Sequence, residues 1–227
     1  MENQPSGFIL LDKPAGPTSF GMVAFLRRTT GIKKIGHAGT LDPFATGLLI
    51  MGIGRQATRQ LDSFLKQSKE YEATLRLGAT TDTFDTEGQV KNVYTGEEIK
   101  IKEIKKVVAS FKGKQKQTPP MFSAKKIDGK KLYELARAGK EIFREPANIE
   151  IIKIKVLKYK WPELKIVVAC SSGTYIRSLA NDIGAQLGCG AYLIALRRTK
   201  IGRFNVKSAF TTAKINPKNW QKLLKNL

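Results

Sequence analysis

The chain has 227 residues, and 40 lysines and arginines against 19 acidic residues give it a net charge of +21. This excess predicts a polyanionic partner such as a nucleic acid. One histidine and two cysteines argue against a structural zinc site, and no apolar run approaches the ~18 residues of a membrane-spanning helix. The N-terminal residues do not resemble a signal peptide, so we expect a cytoplasmic protein in which Cys170 and Cys189 are reduced and buried.

The first third of the chain alternates between short strands and helices. Proline and glycine mark the ends of elements, apolar residues at helical spacing predict helices, and strict alternation predicts a strand that starts at Tyr71. In chain order, these patterns predict a strand over 7–11, a helix from Thr18 or Ser19 to Gly31, a tight loop over 36–43, a buried strand over 48–53, a short helix over 61–65 and a strand over 71–77.

The remaining two thirds contain one long polar segment between regular elements. In chain order, the patterns predict an amphipathic helix over 102–112, a polar surface insertion over 118–146, a hairpin of strands over 149–159 and 164–169, a helix over 176–187, one or two strands within 192–204 and a closing helix from Asn216 to Leu224. Strands and helices are mixed without regular alternation, which indicates an α+β single domain with one inserted loop.

Three residues are candidates for chemistry, and each has a simpler interpretation. Asp42 lies in a glycine-rich loop and could act as a nucleophile or base, or it could merely cap the turn. Arg177 follows a glycine-led helix entry and could line a pocket, or it could be a solvated charge. Tyr71 lies on the apolar face of its strand and could stack on a base, or it could pack in the core.

Seven blocks, taken together and in order, resemble the TruB family of tRNA pseudouridine synthases. The blocks are Leu11–Pro14 with Thr18-Ser19, Gly36–Pro43 with Ala45–Leu49, Lys69–Tyr71, Thr81–Thr83 with Asp85 and Gly88, Pro119–Ala124, Gly173–Arg177, and Gly188–Ala191 with Leu196–Arg198. They cover nearly the whole chain. The resemblance implies a pseudouridine synthase fold, in which helices flank a mixed central β-sheet and residues 118–146 form an inserted thumb loop.

The resemblance also implies the reaction. Members isomerise the uridine at position 55 in the T-loop of tRNA by flipping the base out, and they use neither a cofactor nor a metal. Residues 1–227 would form a single catalytic domain. Many bacterial members continue into a C-terminal PUA domain, and we expect this chain to be a compact member without one. Phe122 departs from the family, which often has tyrosine there.

By resemblance, the catalytic residues are Asp42, Tyr71 and Arg177. Asp42 is the essential carboxylate, which either attacks the sugar at C1′ or removes a sugar proton to give a glycal, and the sequence leaves both routes open. Arg177 matches the arginine that pairs with this aspartate. Tyr71 matches the aromatic residue that stacks on the extruded base and assists loss of the C5 proton.

The resemblance assigns four further residues to substrate binding. Lys13 would support the loop that carries Asp42 or contact the RNA, and His37 would fill the space that the flipped base vacates. Tyr175 and Leu196 would line the uracil pocket. Thumb lysines would contact the RNA backbone, namely Lys125, Lys126, Lys130 and Lys131.

The expected partner is the T-arm stem-loop of tRNA, bound by a monomer that needs no obligate protein partner and no membrane. Two alternatives stay open. One is a pseudouridine synthase with a different RNA target, such as a relative guided by accessory proteins. The other is a basic RNA-binding or tRNA-folding factor that keeps the fold without catalysis.

Overall fold

The structure is a computed structural model that describes residues 5–123, 126–127, 129–137, 139–140 and 142–226. The chain divides into two units: Met1–Tyr71 with Leu196–Leu227, and Glu72–Ala195. No helix in the described ranges is long and apolar enough to cross a membrane.

The first unit is built on a mixed β-sheet. In chain order its elements are β1 (Gly7–Lys13), α1 (Ser19–Thr30), β2 (Ile35–Ala38), β3 (Thr46–Ile53), α2 (Gly54–Arg59), α3 (Leu61–Leu65), the start of β4 (Lys69–Leu77), and, after the second unit, the end of β12 (Ala191–Ile201), β13 (Phe204–Asn205) and β14 (Phe210–Thr211). The strand order is β14, β1, β3, β12, and β2 pairs with β3. Strand β3 runs antiparallel to β1 and β2 and parallel to β12.

Helices cover both faces of this sheet because β3 is apolar on both. Leu49, Met51 and Ile53 face the buried side of α1, while Leu48 and Ile50 face α2 and α3. Helix α1 begins and ends where the sequence predicts. The Thr18 hydroxyl accepts a hydrogen bond from the Gly21 amide, and Gly31 closes the helix in a left-handed conformation.

The second unit contains the rest of β4 and β12 and the elements between them. In chain order these are β5 (Ala79–Thr81), β6 (Val90–Val93), α4 (Ile101–Ser110), β7 (Gly113–Gln117), β8 (Lys126–Ile127), β9 (Lys130–Lys131), α5 (Leu132–Arg137), β10 (Ala147–Lys160), β11 (Glu163–Cys170) and α6 (Ile176–Gln186). Its main sheet has the order β4, β11, β10, β7, and β5–β6 and β8–β9 form separate pairs. The α+β class with a mixed sheet and helices is confirmed, and Cys170 and Cys189 are buried and unbridged.

Three sequence predictions need correction. The expected closing helix is wrong: only a short 3-10 turn forms at Trp220–Leu223, because the Asn216 and Asn219 side chains bond to nearby backbone groups and compete with a helix. The insertion over 118–146 is not entirely loop or surface. It contains β8, β9 and α5, and Leu132 is fully buried.

The third correction concerns the loop predicted over residues 36–43. Its first residues belong to strand β2, in which His37 lies opposite Met51 of β3. Gly36 serves packing here and does not make a turn, since a Cβ atom at this position would lie 2.8 Å from the Leu61 side chain. In the sequence, a glycine that close packing requires looks the same as one that a turn requires.

Gly47 allows the close approach of β3 and β12. Its φ is +105°, and an added Cβ would overlap the backbone of Arg198 on β12. Gly31 is a natural control, since its φ of +72° carries a similar backbone strain but open space surrounds the Cβ position.

We therefore expect Gly31→Ala to cost roughly 1 kcal/mol of the free energy of unfolding, and Gly47→Ala to cost about 1–3 kcal/mol more. Urea unfolding of both variants measures the difference. Equal losses of stability would show that the close contact between β3 and β12 tolerates a side chain at position 47.

Candidate functional site

The loop that carries Asp42 joins β2 to β3, and buried cations hold its carbonyl groups. Lys13 is fully buried at the end of β1, and its Nζ donates to the carbonyl oxygens of Pro43 at 3.1 Å, Ala45 at 2.7 Å and Pro14 at 2.9 Å. An ammonium group in the interior needs such oxygen partners to offset its lost hydration. Lys13 thus fixes the backbone on the C-terminal side of Asp42.

The N-terminal side of the same loop is held by α1 and β12. The Ser19 hydroxyl both accepts from the Leu41 amide at 2.8 Å and donates to the Leu41 carbonyl at 3.1 Å. Arg198, only 1% exposed, donates from Nη2 to the Gly39 carbonyl at 2.9 Å and from Nε to the Leu48 carbonyl at 2.7 Å. Asp42 itself is half-buried, and these contacts hold the backbone on both sides of it.

Leu196 lies beside this loop on β12. It is buried, and its carbonyl accepts a hydrogen bond from the Thr46 hydroxyl at 3.4 Å. The next residue, Arg197, makes a two-bond pair with Asp12, with nitrogen–oxygen distances of 3.0 and 2.7 Å. The order Leu196-Arg197-Arg198 therefore places one apolar side chain and two structural cations along the strand next to the loop.

Tyr71 is buried on the apolar face of β4. The preceding residues secure its strand. The Lys69 ammonium donates to the carbonyl oxygens of Leu65 and Gln67 at the end of α3, and the Glu70 carboxylate accepts from Thr199 at 3.0 Å and Lys200 at 3.3 Å on β12. The burial of Tyr71 agrees with a role in core packing, and its stacking on a base stays a prediction.

His37 lies half-buried on β2, and its Nδ1 atom is buried without a hydrogen-bond partner among the described residues. Burial, together with the positive charge of Arg198, lowers the pKa of the imidazole. The folded protein therefore favours a neutral ring at this position.

In the second unit, Arg177 is the second residue of α6 and is only 5% exposed, which contradicts its interpretation as a solvated charge. Nη1 contacts Asp85 Oδ2 at 3.1 Å and donates to the Thr83 carbonyl at 3.1 Å, and Nη2 donates to the Phe122 carbonyl at 2.6 Å. Because Phe122 contributes its backbone oxygen, this contact does not depend on the tyrosine that the family often has there.

Asp85 and Gln117 hold the start of α6 in place, and neither was predicted to have a role in the site. Asp85 is 1% exposed, and its Oδ1 accepts from the Thr83 hydroxyl at 2.6 Å and the Glu87 amide at 2.9 Å. The buried Gln117 side chain accepts from the Tyr175 amide at 2.8 Å and donates to the Tyr175 carbonyl at 3.0 Å. The Thr-Asp-Thr-Phe-Asp spacing is the signal that could have indicated Asp85.

The predicted site residues thus fall into two groups. Lys13 and Leu196 adjoin the Asp42 loop in the first unit, which also contains His37 and Tyr71. Arg177 and the half-buried Tyr175 belong to the second unit, at the start of α6. Of the thumb lysines, Lys125 lies outside the described residues, and the structure describes only the backbone of Lys126, Lys130 and Lys131, in β8 and β9.

Comparison with known families decides the assignment. Residues 27–176 match the model of the TruB family pseudouridylate synthase N-terminal domain, and residues 177–226 match that of the tRNA pseudouridylate synthase B C-terminal domain. The chain belongs to the TruB family. Its pseudouridine synthase fold follows, with helices on a mixed sheet.

Individual relatives of this TruB family member agree. The chain is 50% identical over 203 residues to tRNA pseudouridine synthase B of Chlamydia pneumoniae, which covers 88% of this chain and 84% of the relative. It is 49% identical over 213 residues to that of Protochlamydia amoebophila, covering 92% and 79%. Among solved structures, a Cbf5-Nop10-Gar1 complex aligns with a TM-score of 0.76 and 28% identity, over 98% of this chain and 60% of that chain.

The pKa of His37 can be measured without ambiguity, because this residue is the only histidine in the sequence. We expect its ring-proton NMR resonance in the folded protein to titrate with a pKa below the ordinary value of about 6.5. The contribution of the neutral ring to stability is then present above the unfolded-state pKa and declines as the pH falls toward the folded-state pKa. A midpoint at or above the ordinary value would contradict the burial of this ring.

Proposed function

We propose that this chain isomerises the uridine at position 55 in the T-loop of tRNA to pseudouridine. The relatives that share about half of its residues over most of their length are tRNA pseudouridine synthase B enzymes. One observation directs the proposal to Asp42: this half-buried aspartate lies on a loop that the buried Lys13 and Arg198 side chains hold from both sides.

The reaction needs a carboxylate and a way to hold the base, and it transfers no external group. The N1–C1′ bond breaks, the base turns, a C5–C1′ bond forms, C5 loses its proton and N1 takes one up. Asp42 either attacks C1′ and is later displaced, or removes a sugar proton and later returns it. In both routes the reaction rate depends strongly on the position of the carboxylate, since a displacement of about 1 Å can lower the rate about 10²-fold.

Tyr71 is proposed to stack on the extruded uracil and to assist removal of the C5 proton. Its ring forms part of a buried apolar face, and its phenol offers a hydroxyl for proton transfer. Stacking on an aromatic side chain typically contributes ~1–3 kcal/mol per base. Arg177 as the partner of the catalytic carboxylate stays a prediction from the resemblance.

His37 is proposed to occupy the space that the flipped base leaves in the T-loop stack. A neutral ring is suited to this, since inserting a charged imidazolium between bases would require removing its hydration. The lowered pKa of His37 supports the proposal. Tyr175 and Leu196 are proposed to line the uracil pocket, and the thumb lysines to contact phosphates.

We also propose how the protein is organised and where it acts. We expect one catalytic domain over residues 1–227, a monomer without an obligate protein partner, a cytoplasmic location and recognition of the T-arm stem-loop. A guided enzyme with another RNA target is the second candidate, because Cbf5 complexes share the fold. The higher identity to tRNA pseudouridine synthase B, 50% against 28%, favours action on tRNA.

The experiment is tritium release from a T-arm stem-loop labelled at uracil C5, with no other protein added. We expect wild-type protein to release tritium and Asp42→Asn to release none while still binding the RNA, because the amide keeps the shape of the side chain but cannot attack C1′ or accept a proton. Asp62→Asn, which removes an exposed carboxylate on α3, is the matched control and should remain active.

Two outcomes would contradict the proposal. A wild-type protein that binds the stem-loop without releasing tritium would favour the RNA-binding factor. Release that survives Asp42→Asn would remove this carboxylate from the mechanism.

A further inference from the structure

Phe20, the second residue of α1, is an exposed aromatic side chain beside the loop that carries Asp42. The residue before it, Ser19, is buried, and its hydroxyl bonds to both backbone groups of Leu41, so the first turn of the helix lies against that loop. Phe20 is nevertheless 65% exposed. A ring with this exposure contributes little to the core, and the family resemblance gives the residue no role.

A guanidinium group accompanies the exposed ring. Arg27 follows Phe20 by seven residues, which is about two helical turns, so both side chains share one flank of α1. The guanidinium carbon of Arg27 lies 5.8 Å from the centroid of the Phe20 ring, within the range of a cation–π contact. This contact restricts the ring while most of its surface stays in water.

The topology indicates the direction in which this flank faces. Strands β1 and β2 both run antiparallel to β3, so they are parallel to each other, and α1 connects them. Connections between parallel strands of one sheet are right-handed. With Met22, Val23 and Leu26 buried against the sheet, a rotation of about 100° per residue turns the flank that carries Phe20 toward β2.

His37 of β2 lies on the face of the sheet that α1 covers. It is directly opposite Met51 in the β2–β3 pair, and such cross-strand partners point to the same side. Met51 belongs to the core cluster that packs against α1. The proposed function puts His37 in the T-loop stack, so RNA bound there lies on the side toward which Phe20 and Arg27 are turned.

We propose that Phe20, with Arg27 beside it, stacks on an unpaired base of the substrate RNA, as a contact separate from the uracil pocket. The inference rests on the proposed function for the identity of the RNA. Every base has a π face, so an aromatic ring binds unpaired bases with little sequence preference. A hydrocarbon ring offers no hydrogen bond to a phosphate, and therefore the contact involves a base and not the backbone.

The test compares variants of Phe20 on the T-arm stem-loop. Phe20→Leu keeps an apolar side chain and removes the ring, whereas Phe20→Trp keeps an aromatic face. Leu157→Ala, which truncates an apolar side chain that is 50% exposed on β10, is the matched control. For each protein, the dissociation constant for the stem-loop is measured over a range of salt concentrations, alongside tritium release and urea unfolding.

We expect Phe20→Leu to bind the stem-loop about tenfold more weakly, as for the loss of one base stacked on an aromatic side chain. Its slope of log affinity against log salt should equal that of wild type, since no phosphate contact is lost. Phe20→Trp should bind at least as tightly as wild type, and RNA should quench the fluorescence of the added indole. Leu157→Ala should keep the wild-type affinity, and every variant the wild-type unfolding midpoint.

Wild-type affinity of Phe20→Leu would overturn the inference, and so would an indole in Phe20→Trp that RNA does not quench. An equal loss of affinity in both variants would also overturn it, because the aromatic face would then be irrelevant. Tritium release by wild-type protein separates these failures from failure of the proposed function. Normal release with normal binding by Phe20→Leu removes only the base contact, whereas absent release contradicts the enzymatic proposal whatever the result at Phe20.

Discussion

An ammonium group without water must be surrounded by oxygen atoms, and Lys13 meets this need with the carbonyls of the segment that carries Asp42. A loop of irregular backbone has carbonyl groups that no strand or helix satisfies. The buried lysine and the loop therefore stabilise each other. The strand β1 places the lysine, so the position of the carboxylate depends on the packing of the sheet beneath it.

The same arrangement recurs around the site. Arg198 bonds to carbonyls on both sides of the Asp42 loop, Lys69 bonds to those at the end of α3, and Arg177 bonds to two carbonyls and to Asp85. These buried cations thus stabilise irregular segments of the backbone. Part of the large positive charge that first suggested a nucleic acid is therefore structural, because these side chains are bonded inside the protein.

Local patterns in the sequence predicted most of the regular elements, because caps, alternation and apolar spacing act over a few residues. Thr18 and Gly31 bounded α1, and the alternation from Tyr71 marked β4. The missing closing helix reflects local bonds of the Asn216 and Asn219 side chains, whereas other misjudged residues depend on contacts distant in sequence. Leu61 packs where a side chain on Gly36 would lie, and Asp85 and Phe122 provide hydrogen-bond partners for the buried Arg177. The roles of the site residues were predicted from the family resemblance. Taken alone, a residue such as Asp42 could equally have been explained as the cap of a turn.

Lys13→Met tests most directly whether a buried cation positions the catalytic loop. Methionine keeps the length of the side chain and removes the ammonium, so three carbonyl groups lose a charge-assisted hydrogen bond. We expect kcat for tritium release to fall at least about tenfold because the carboxylate is no longer held in position, with the dissociation constant for tRNA changed less than about threefold. A folded variant that turns over at the wild-type rate would contradict the account.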